Sequence, residues 1–303
     1  MLLSLETLLH ATLDYAPAVV FAAMGGVVSE RAGVIALGLE GMMRVGAFAA
    51  AVAALVMPTP LAVCVGALMG VAFSSIHGAL AVTLRADGAV SGLALNLIAL
   101  AAGTYLLEAY FLPQGTPSIA QLSRWTLPGL AATPVLRALS RHTGLTYAAA
   151  LLPALLAFFL HRTVLGLRLR AVGESTHAAS SAGLSVTGLR WGAVLLSGAL
   201  AGLGGATLST TTLDRFEPHM PSGLGFVALA SVVFGRWSPW GAAGAAVLFA
   251  AASALRVTLG NAAPHLFTWI PGGVLLALPY VLTLLLLATR SRGTGVPAAL
   301  GRP

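Results

Sequence analysis

The sequence predicts an all-α membrane protein with about eight to ten transmembrane helices, some of them broken or re-entrant. Apolar residues make up 58% of the 303 residues, charged residues only 8%, and the mean hydropathy is +0.92. A water-soluble domain carries about 25% charged residues, so most of the surface of this chain must face lipid. Apolar runs of roughly 18 residues, each long enough to cross a bilayer core of about 30 Å, recur along the whole sequence.

About nine spans are predicted from the apolar runs and the turn residues between them. They cover residues 11–28, 40–57, 61–84, 89–112, 145–160, 191–213, 222–234, 241–257 and 266–288. The longest polar stretch between spans, residues 113–143, contains four prolines. Glycine runs at residues 202–205 and 241–244 indicate close packing between helices.

Residues 1–303 are predicted to form one transmembrane domain, because no polar stretch is long enough for a separate ATPase, receptor or nucleic-acid module. The net charge of +7 comes from arginines spread thinly between apolar runs, which is typical of cytoplasmic loops and not of a nucleic-acid-binding patch. Cys64 lies in an apolar run and is predicted to be a packing residue. The N-terminus lacks a basic stretch and a cleavage site, so no cleaved signal peptide is expected.

The arginines also predict the orientation in the membrane. Residues 161–190 hold the densest cluster, and positive charge favours the cytoplasmic side. Counting spans from this loop puts four further arginines on the same side: Arg85, Arg236, Arg290 and Arg292. The opposite side holds three arginines that break the rule: Arg124, Arg137 and Arg141.

Residues 25–46 depart from a plain lipid-facing helix. Glycines interrupt this segment, and it contains the charged residues Glu30, Arg31, Glu40 and Arg44. Charges at membrane depth are costly unless they face water or each other. Broken backbone there needs protein or a water-filled cavity around it. We therefore expect the segment to face the protein interior.

Enzyme signatures are missing from the sequence, which has no metal-ligand spacing of His and Cys, no nucleophile elbow and no phosphate-binding Gly-Lys loop. The chain contains no lysine at all, so it cannot hydrolyse ATP by the usual design. We expect no enzymatic activity, no cofactor and no metal site. The seven histidines are interpreted as loop or ordinary helix residues: His10, His77, His142, His161, His177, His219 and His265.

The loop at residues 161–190 contains a second structural signal. Residues 175–182 are small and tolerate a helix, with Ser175 at the start and Gly183 placed as a helix stop. The pattern predicts a short helix along the membrane face that presents a compact surface to a partner. An ordinary amphipathic turn between two spans is the alternative.

Several stretches, in the same order along nearly the whole chain, resemble the signature of nucleoside-type ABC permeases. These permeases belong to a larger group that also serves simple sugars and branched-chain amino acids. The matching stretches are residues 29–35, 38–43, 46–48, 85–87, 90–92, 94–96, 166–174, 178–179, 197–206, 225–230 and 234–239, with Gly183 and Gly241. One departure is Ala36, where the family usually has Asn.

The resemblance implies a bacterial inner-membrane permease subunit that pairs with a homologous second permease, docks a cytoplasmic ATP-binding subunit and receives solute from an extracytoplasmic lipoprotein. It also implies that residues 166–183, called here the coupling segment, convert ATPase closure into a rocking of the spans. The coupling residues carried over are Gly166, Arg168, Arg170, Gly173, Glu174, Ala178, Ala179 and Gly183.

Five residues are candidates for the solute path: Glu30, Arg31, Glu40, Ser91 and Asn96. Buried Asn and Ser side chains hydrogen-bond the hydroxyls and ring edges of polar solutes. Two structural alternatives stay open. For Glu30 and Arg31, the alternative is a structural ion pair at the membrane boundary. For Asn96, it is an interhelical hydrogen bond that holds spans together.

The main alternative function is a secondary transporter driven by an ion gradient, which needs intramembrane carboxylates or carbonyl sites. Most acidic residues lie at span ends, with Glu108 as the exception. The sequence leaves open whether the solute is a purine nucleoside, a pyrimidine nucleoside, riboflavin or a simple sugar. It also leaves open whether the two permeases of the pair are identical.

Overall fold

The structure is a computed structural model that describes residues 5–111, 114–126, 140–262 and 295–302. Helices dominate this part of the chain: α1 Leu5–Arg31, α2 Leu39–Ala53, α3 Thr59–Gly78, α4 Gly88–Tyr110, α5 Gly144–Arg162, α6 Val164–Glu174, α7 Thr176–Ser181, α8 Val186–Thr207, α9 Leu224–Phe234 and α10 Pro239–Ala262. α3 and α8 continue as π-helical turns over Ala79–Thr83 and Leu208–Thr212. Two short strands, β1 Arg124–Thr126 and β2 Arg141–Thr143, pair antiparallel.

The predicted class, a multi-span all-α membrane protein with broken helices, is confirmed. Among the described residues, five helical segments are long and apolar enough to cross a bilayer: Glu6–Arg31, Thr59–Thr83, Gly88–Tyr110, Gly144–Arg162 and Val186–Thr212. α2 has 15 residues and α9 has 11, so at 1.5 Å per residue they reach about 22 Å and about 16 Å, too short for a core of about 30 Å. The predicted span at residues 222–234 is therefore too short to cross the bilayer core on its own. The predicted span at residues 266–288 lies outside the described residues.

α1 is the central helix of the bundle. Every residue from 16 to 30 is buried, and the helix packs against α8, α9 and α10. α4 instead carries a row of exposed apolar side chains that includes Val90, Leu97 and Ile98. α1 therefore has no lipid-facing side along this stretch. The expectation that residues 25–46 face the interior is confirmed, because most of this segment is buried as well.

Small residues bring α8 to backbone distance from its neighbours. Gly202 faces the backbone of Gly66 and Gly70 in α3, and Gly205 faces the carbonyl of Met43 in α2. A Cβ on either of these α8 glycines would collide with that backbone. Helix association in membranes depends on such close packing. The predicted packing role is confirmed for residues 202–205 and for Gly241, which faces the backbone of Gly235. At Gly244, no atom of the described residues lies within 4 Å of an added Cβ.

The strand pair is fastened to α1 at the end of the bundle opposite the coupling segment. A carboxylate oxygen of Asp14 accepts a hydrogen bond from Arg124 at 3.2 Å and lies 3.3 Å from Nδ1 of His10. Its other oxygen lies 3.1 Å from Nδ1 of His142. Arg124, an exception to the predicted charge rule, is thus paired with a carboxylate.

Gly202→Ala is expected to lower the free energy of unfolding by roughly 1–3 kcal/mol, because the added methyl overpacks the contact between α8 and α3. The measurement is thermal denaturation of the purified protein in detergent. Gly192→Ala is the matched control in the same helix, since a Cβ added at Gly192 has no atom of the described residues within 4 Å. The control should be neutral or slightly more stable, because Ala favours helix over Gly. Equal losses for the two variants would contradict the packing role.

Candidate functional site

Glu40 joins the starts of two helices that are too short to span a bilayer. It lies in the first turn of α2, and its carboxylate is buried. The two carboxylate oxygens accept hydrogen bonds from the backbone N–H groups of Gly223 at 2.8 Å and Gly225 at 2.7 Å, at the start of α9. The negative charge therefore lies at the positive ends of two helix dipoles. Gly223 adopts a φ of +87°, which favours glycine at this turn.

Arg44, one turn after Glu40, holds the chain that leads into α9. Its guanidinium is buried and donates from Nη1 to the carbonyl of Pro218 at 2.7 Å. Arg44 and Glu40 therefore attach the connection between α8 and α9 to α2 at two places. Arg44 binds it at Pro218, and Glu40 binds it where α9 begins. Sequence reasoning selected Glu40 as a site residue and not Arg44. The spacing of four residues between two charges on one helix was the available signal.

Asn96 of α4 binds the same turn of α2 from the other side. Its Oδ1 accepts a hydrogen bond from the N–H of Gly41 at 2.8 Å, and its Nδ2 donates to the carbonyl of Leu37 at 2.8 Å. The first N–H groups of a helix have no partner within the helix, and Asn96 supplies one. Both contacts fit the interhelical alternative for Asn96, and they bring Asn96 and Glu40 together around one helical turn.

Ser91 lies at a separate polar contact nearer the start of α4. Its hydroxyl is 3.0 Å from Nδ1 of His77, and Nε2 of His77 is 3.1 Å from the carbonyl of Ile35. Both side chains are buried. The chain of bonds ties α3 and α4 to residues 32–38, called here the α1–α2 break. Sequence reasoning treated His77 as an ordinary helix residue, since nothing in the sequence pairs it with Ser91.

Glu30 and Arg31 do not join Glu40 and Asn96. They lie at the end of α1, where Glu30 accepts hydrogen bonds from the indole N–H of Trp237 and the N–H of Ala36. Arg31 donates from Nε to the carbonyl of Trp237 at 2.8 Å. Glu30 therefore binds the indole side chain of Trp237, and Arg31 binds its backbone carbonyl. This arrangement replaces the ion-pair alternative and places them beside the coupling segment.

The coupling segment contains the predicted short helix. α7 begins after Ser175, whose hydroxyl accepts a hydrogen bond from the N–H of Ala178 at 3.2 Å. It ends before Gly183, which adopts a φ of +78°. α6 precedes it and is capped in the same way by Thr163. The cap and stop residues read from the sequence therefore act as expected.

The proposed coupling residues divide into packing and surface positions. A Cβ on Gly166 would collide with the carbonyl of Phe159, and one on Gly173 with the carbonyl of Arg31. Ala179 is buried, and Arg170 donates from Nε to the carbonyl of Leu160 at 2.9 Å. The exposed members are Arg168, Glu174, Ala178 and Gly183.

Residues 295–302, called here the tail segment, lie across the same end of the bundle. The N–H of Ala299 donates to the carbonyl of Gly173 at 2.9 Å, and the N–H of Gly301 donates to the carbonyl of Gly33 at 3.0 Å. The tail segment therefore connects the coupling segment to the α1–α2 break. Sequence reasoning missed it, because backbone hydrogen bonds between distant segments leave no pattern of side chains.

Comparison with known proteins identifies the chain over most of its length. The model of the family described as "Branched-chain amino acid transport system / permease component" matches residues 8–279. The nucleoside ABC transporter permease protein NupC of Lactococcus lactis subsp. cremoris is 39% identical over 295 residues, which cover 94% of this chain and 92% of the relative.

Two further relatives differ in their named solutes. The guanosine ABC transporter permease protein NupQ of Bacillus subtilis is 37% identical over 316 residues, with 98% of each chain covered. The putative glucose ABC transporter permease protein TsgC13 of Haloferax volcanii is 36% identical over 256 residues, which cover 82% of this chain and 77% of the relative.

Asn96→Leu is expected to lower the free energy of unfolding by about 1–3 kcal/mol, because it leaves the N–H of Gly41 and the carbonyl of Leu37 without a partner. Thermal denaturation in detergent measures the change. Thr104→Val is the control on the same helix, since the Thr104 hydroxyl bonds the carbonyl of Leu100 within α4. A melting temperature for Asn96→Leu equal to that of the control would show that these hydrogen bonds do not stabilise the start of α2.

Proposed function

Because the chain belongs to the family of branched-chain amino acid transport system permease components, we propose that it is the membrane-spanning permease of an ATP-driven importer of nucleosides. Nearly full-length similarity to two permeases named for nucleosides and guanosine carries this proposal. The ion-gradient alternative receives no support from the comparisons. Because one relative is named for glucose, a simple sugar is the second candidate cargo, and it is tested against nucleosides below.

The solute path in this proposal follows the two helices that start inside the membrane. Discontinuous helices and their exposed peptide groups form the binding sites of many transporters near the bilayer midplane. Glu40 and Asn96 flank the first turn of α2, and Asn96 is only partly buried. Ser91 follows toward the predicted cytoplasmic side, and Glu30 and Arg31 lie at its end. Hydroxyl and amide groups of this kind suit a neutral solute with ribose hydroxyls and base edges.

The energy for uphill movement comes, in this proposal, from a separate cytoplasmic ATP-binding subunit. Its docking surface is the exposed part of α6 and α7, with Arg168, Glu174 and Ala178. Gly173 contacts the backbone of Arg31 without a side chain between them. A displacement of α6 is therefore passed directly to the end of α1, the central helix, and rocks the spans.

The remaining partners in the proposal complete the importer. A homologous second permease pairs with this subunit in the membrane, and an extracytoplasmic lipoprotein delivers the solute. Membrane lipid contacts the exposed apolar side chains of α3, α4 and α5. The side that faces the lipoprotein is the end with the strand pair, in agreement with the predicted orientation.

The test of the cargo is uptake of radiolabelled guanosine and uridine by cells that lack this chain, with and without a plasmid that restores it. Restored uptake that unlabelled nucleoside suppresses, and unlabelled glucose or riboflavin does not, is the expected result. Suppression by glucose alone would replace nucleosides with a simple sugar as cargo. Uphill transport by the purified chain alone in liposomes would overturn the permease assignment itself.

Ala178→Arg is expected to weaken docking of the ATPase subunit by about tenfold, roughly 1.4 kcal/mol, and to lower nucleoside uptake with it. Ala178 is exposed on α7, so a long charged side chain there obstructs the partner and not the fold. Copurification of the ATPase subunit and uptake are measured together. Ala178→Ser, which keeps the side chain small, should retain both. Full copurification and uptake with Ala178→Arg would place the ATPase elsewhere.

A further inference from the structure

A cavity of about 260 Å³ at the predicted cytoplasmic end of the bundle has a strongly basic lining. Arg85, Arg190 and Arg302 line it, contributed by the turn before α4, the start of α8 and the tail segment. Asp87 is the one acid among its lining residues. The Asp87 carboxylate already caps α4, since its Oδ1 accepts hydrogen bonds from the N–H groups of Ala89 at 2.8 Å and Val90 at 3.0 Å.

Arg190 is the buried cation of this cavity, and its side chain is 5% exposed. It donates from Nε to the carbonyl of Ala32 at 3.3 Å and from Nη2 to the carbonyl of Arg302 at 2.8 Å. Both acceptors are neutral, and within the described ranges of the chain no carboxylate pairs with Arg190. A buried charge without a counterion is costly. The site therefore favours an anion that enters the cavity.

The surroundings of the cavity identify the kind of anion. Leu84 and Val90 flank the basic turn at residues 85–87, and they are 70% and 66% exposed. Exposed leucines continue along α4 at Leu93 and Leu97. The basic turn that lines the cavity is thus bordered along the chain by exposed apolar side chains. This combination matches the headgroup and the acyl chains of a phospholipid.

We propose that the cavity binds the headgroup of an anionic phospholipid, with its phosphate among the three arginines and its acyl chains along α4. Arginine forms strong, paired hydrogen bonds with phosphate oxygens, and basic pockets between helices on the cytoplasmic side suit anionic headgroups. At about 30 Å³ per water-sized group, the cavity of about 260 Å³ holds roughly nine such groups. A phosphate with its glycerol has about that size.

The bound headgroup would add a further link between three parts of the chain. Gly33, Gly88 and Gly301 also line the cavity, so the ligand would touch the α1–α2 break, α4 and the tail segment at once. The proposal concerns stability and lipid selectivity, and it does not depend on which solute the protein carries.

The test uses the full-length protein in detergent, with native mass spectrometry to count bound lipid and thermal denaturation to measure stabilisation. Phosphatidylglycerol is compared with phosphatidylcholine and with inorganic phosphate. Of these three ligands, we expect only phosphatidylglycerol to remain bound and to raise the melting temperature of the protein. Equal binding of phosphatidylcholine would overturn the proposal, and so would displacement of phosphatidylglycerol by inorganic phosphate, which would assign the site to a soluble anion.

Variants locate the site. Arg85→Gln and Arg302→Gln change exposed side chains and leave buried Arg190 in place, so the fold is retained. Each is expected to weaken phosphatidylglycerol binding about fivefold, the contribution of one arginine near an anionic lipid surface. Arg162→Gln, an exposed arginine at the same end of the bundle but outside the cavity, is the control and should bind normally. Unchanged binding in the double variant Arg85→Gln with Arg302→Gln would overturn the proposal.

Discussion

Where a peptide backbone breaks inside a bilayer, protein groups must bind its free N–H and C=O groups. The Glu40 carboxylate binds such N–H groups where α9 begins. Glu40 itself lies in the first turn of α2. Asn96 satisfies the same turn from α4, and His77 contacts the α1–α2 break that precedes it. These contacts allow two short helices to begin at membrane depth, where lipid offers no hydrogen bonds.

The same arrangement connects the two ends of the molecule through α1. The last turn of this helix contacts Gly173 of the coupling segment, and Glu30 and Arg31 both bind Trp237, which follows α9. α1 is buried on all sides from residue 16 to residue 30. In the proposed importer, a movement received at the end of α1 beside the coupling segment would meet protein and not lipid. It would be passed to α2, α8 and α9, which pack against α1.

Composition and local pattern predicted the class of fold and the short helix of the coupling segment, because both depend on neighbouring residues. Gly202 and Gly244 show the limit of local reasoning, since both lie in similar runs. Gly202 packs against α3, whereas no atom of the described residues lies within 4 Å of a Cβ added at Gly244. The partner of Asn96 is 55 residues away and that of Glu40 is 183 residues away. Such pairs are set by tertiary packing, so the polar residues were recognisable but their groupings were not.

The tail segment has a consequence for how the protein is made. Residues 295–302 leave the ribosome after every described helix, yet their backbone is bonded to Gly33 and Gly173. The surface around α6 and α7 is therefore unfinished while translation continues, even when those helices are already inserted. The backbone bonds that complete this surface form only once translation has passed residue 301.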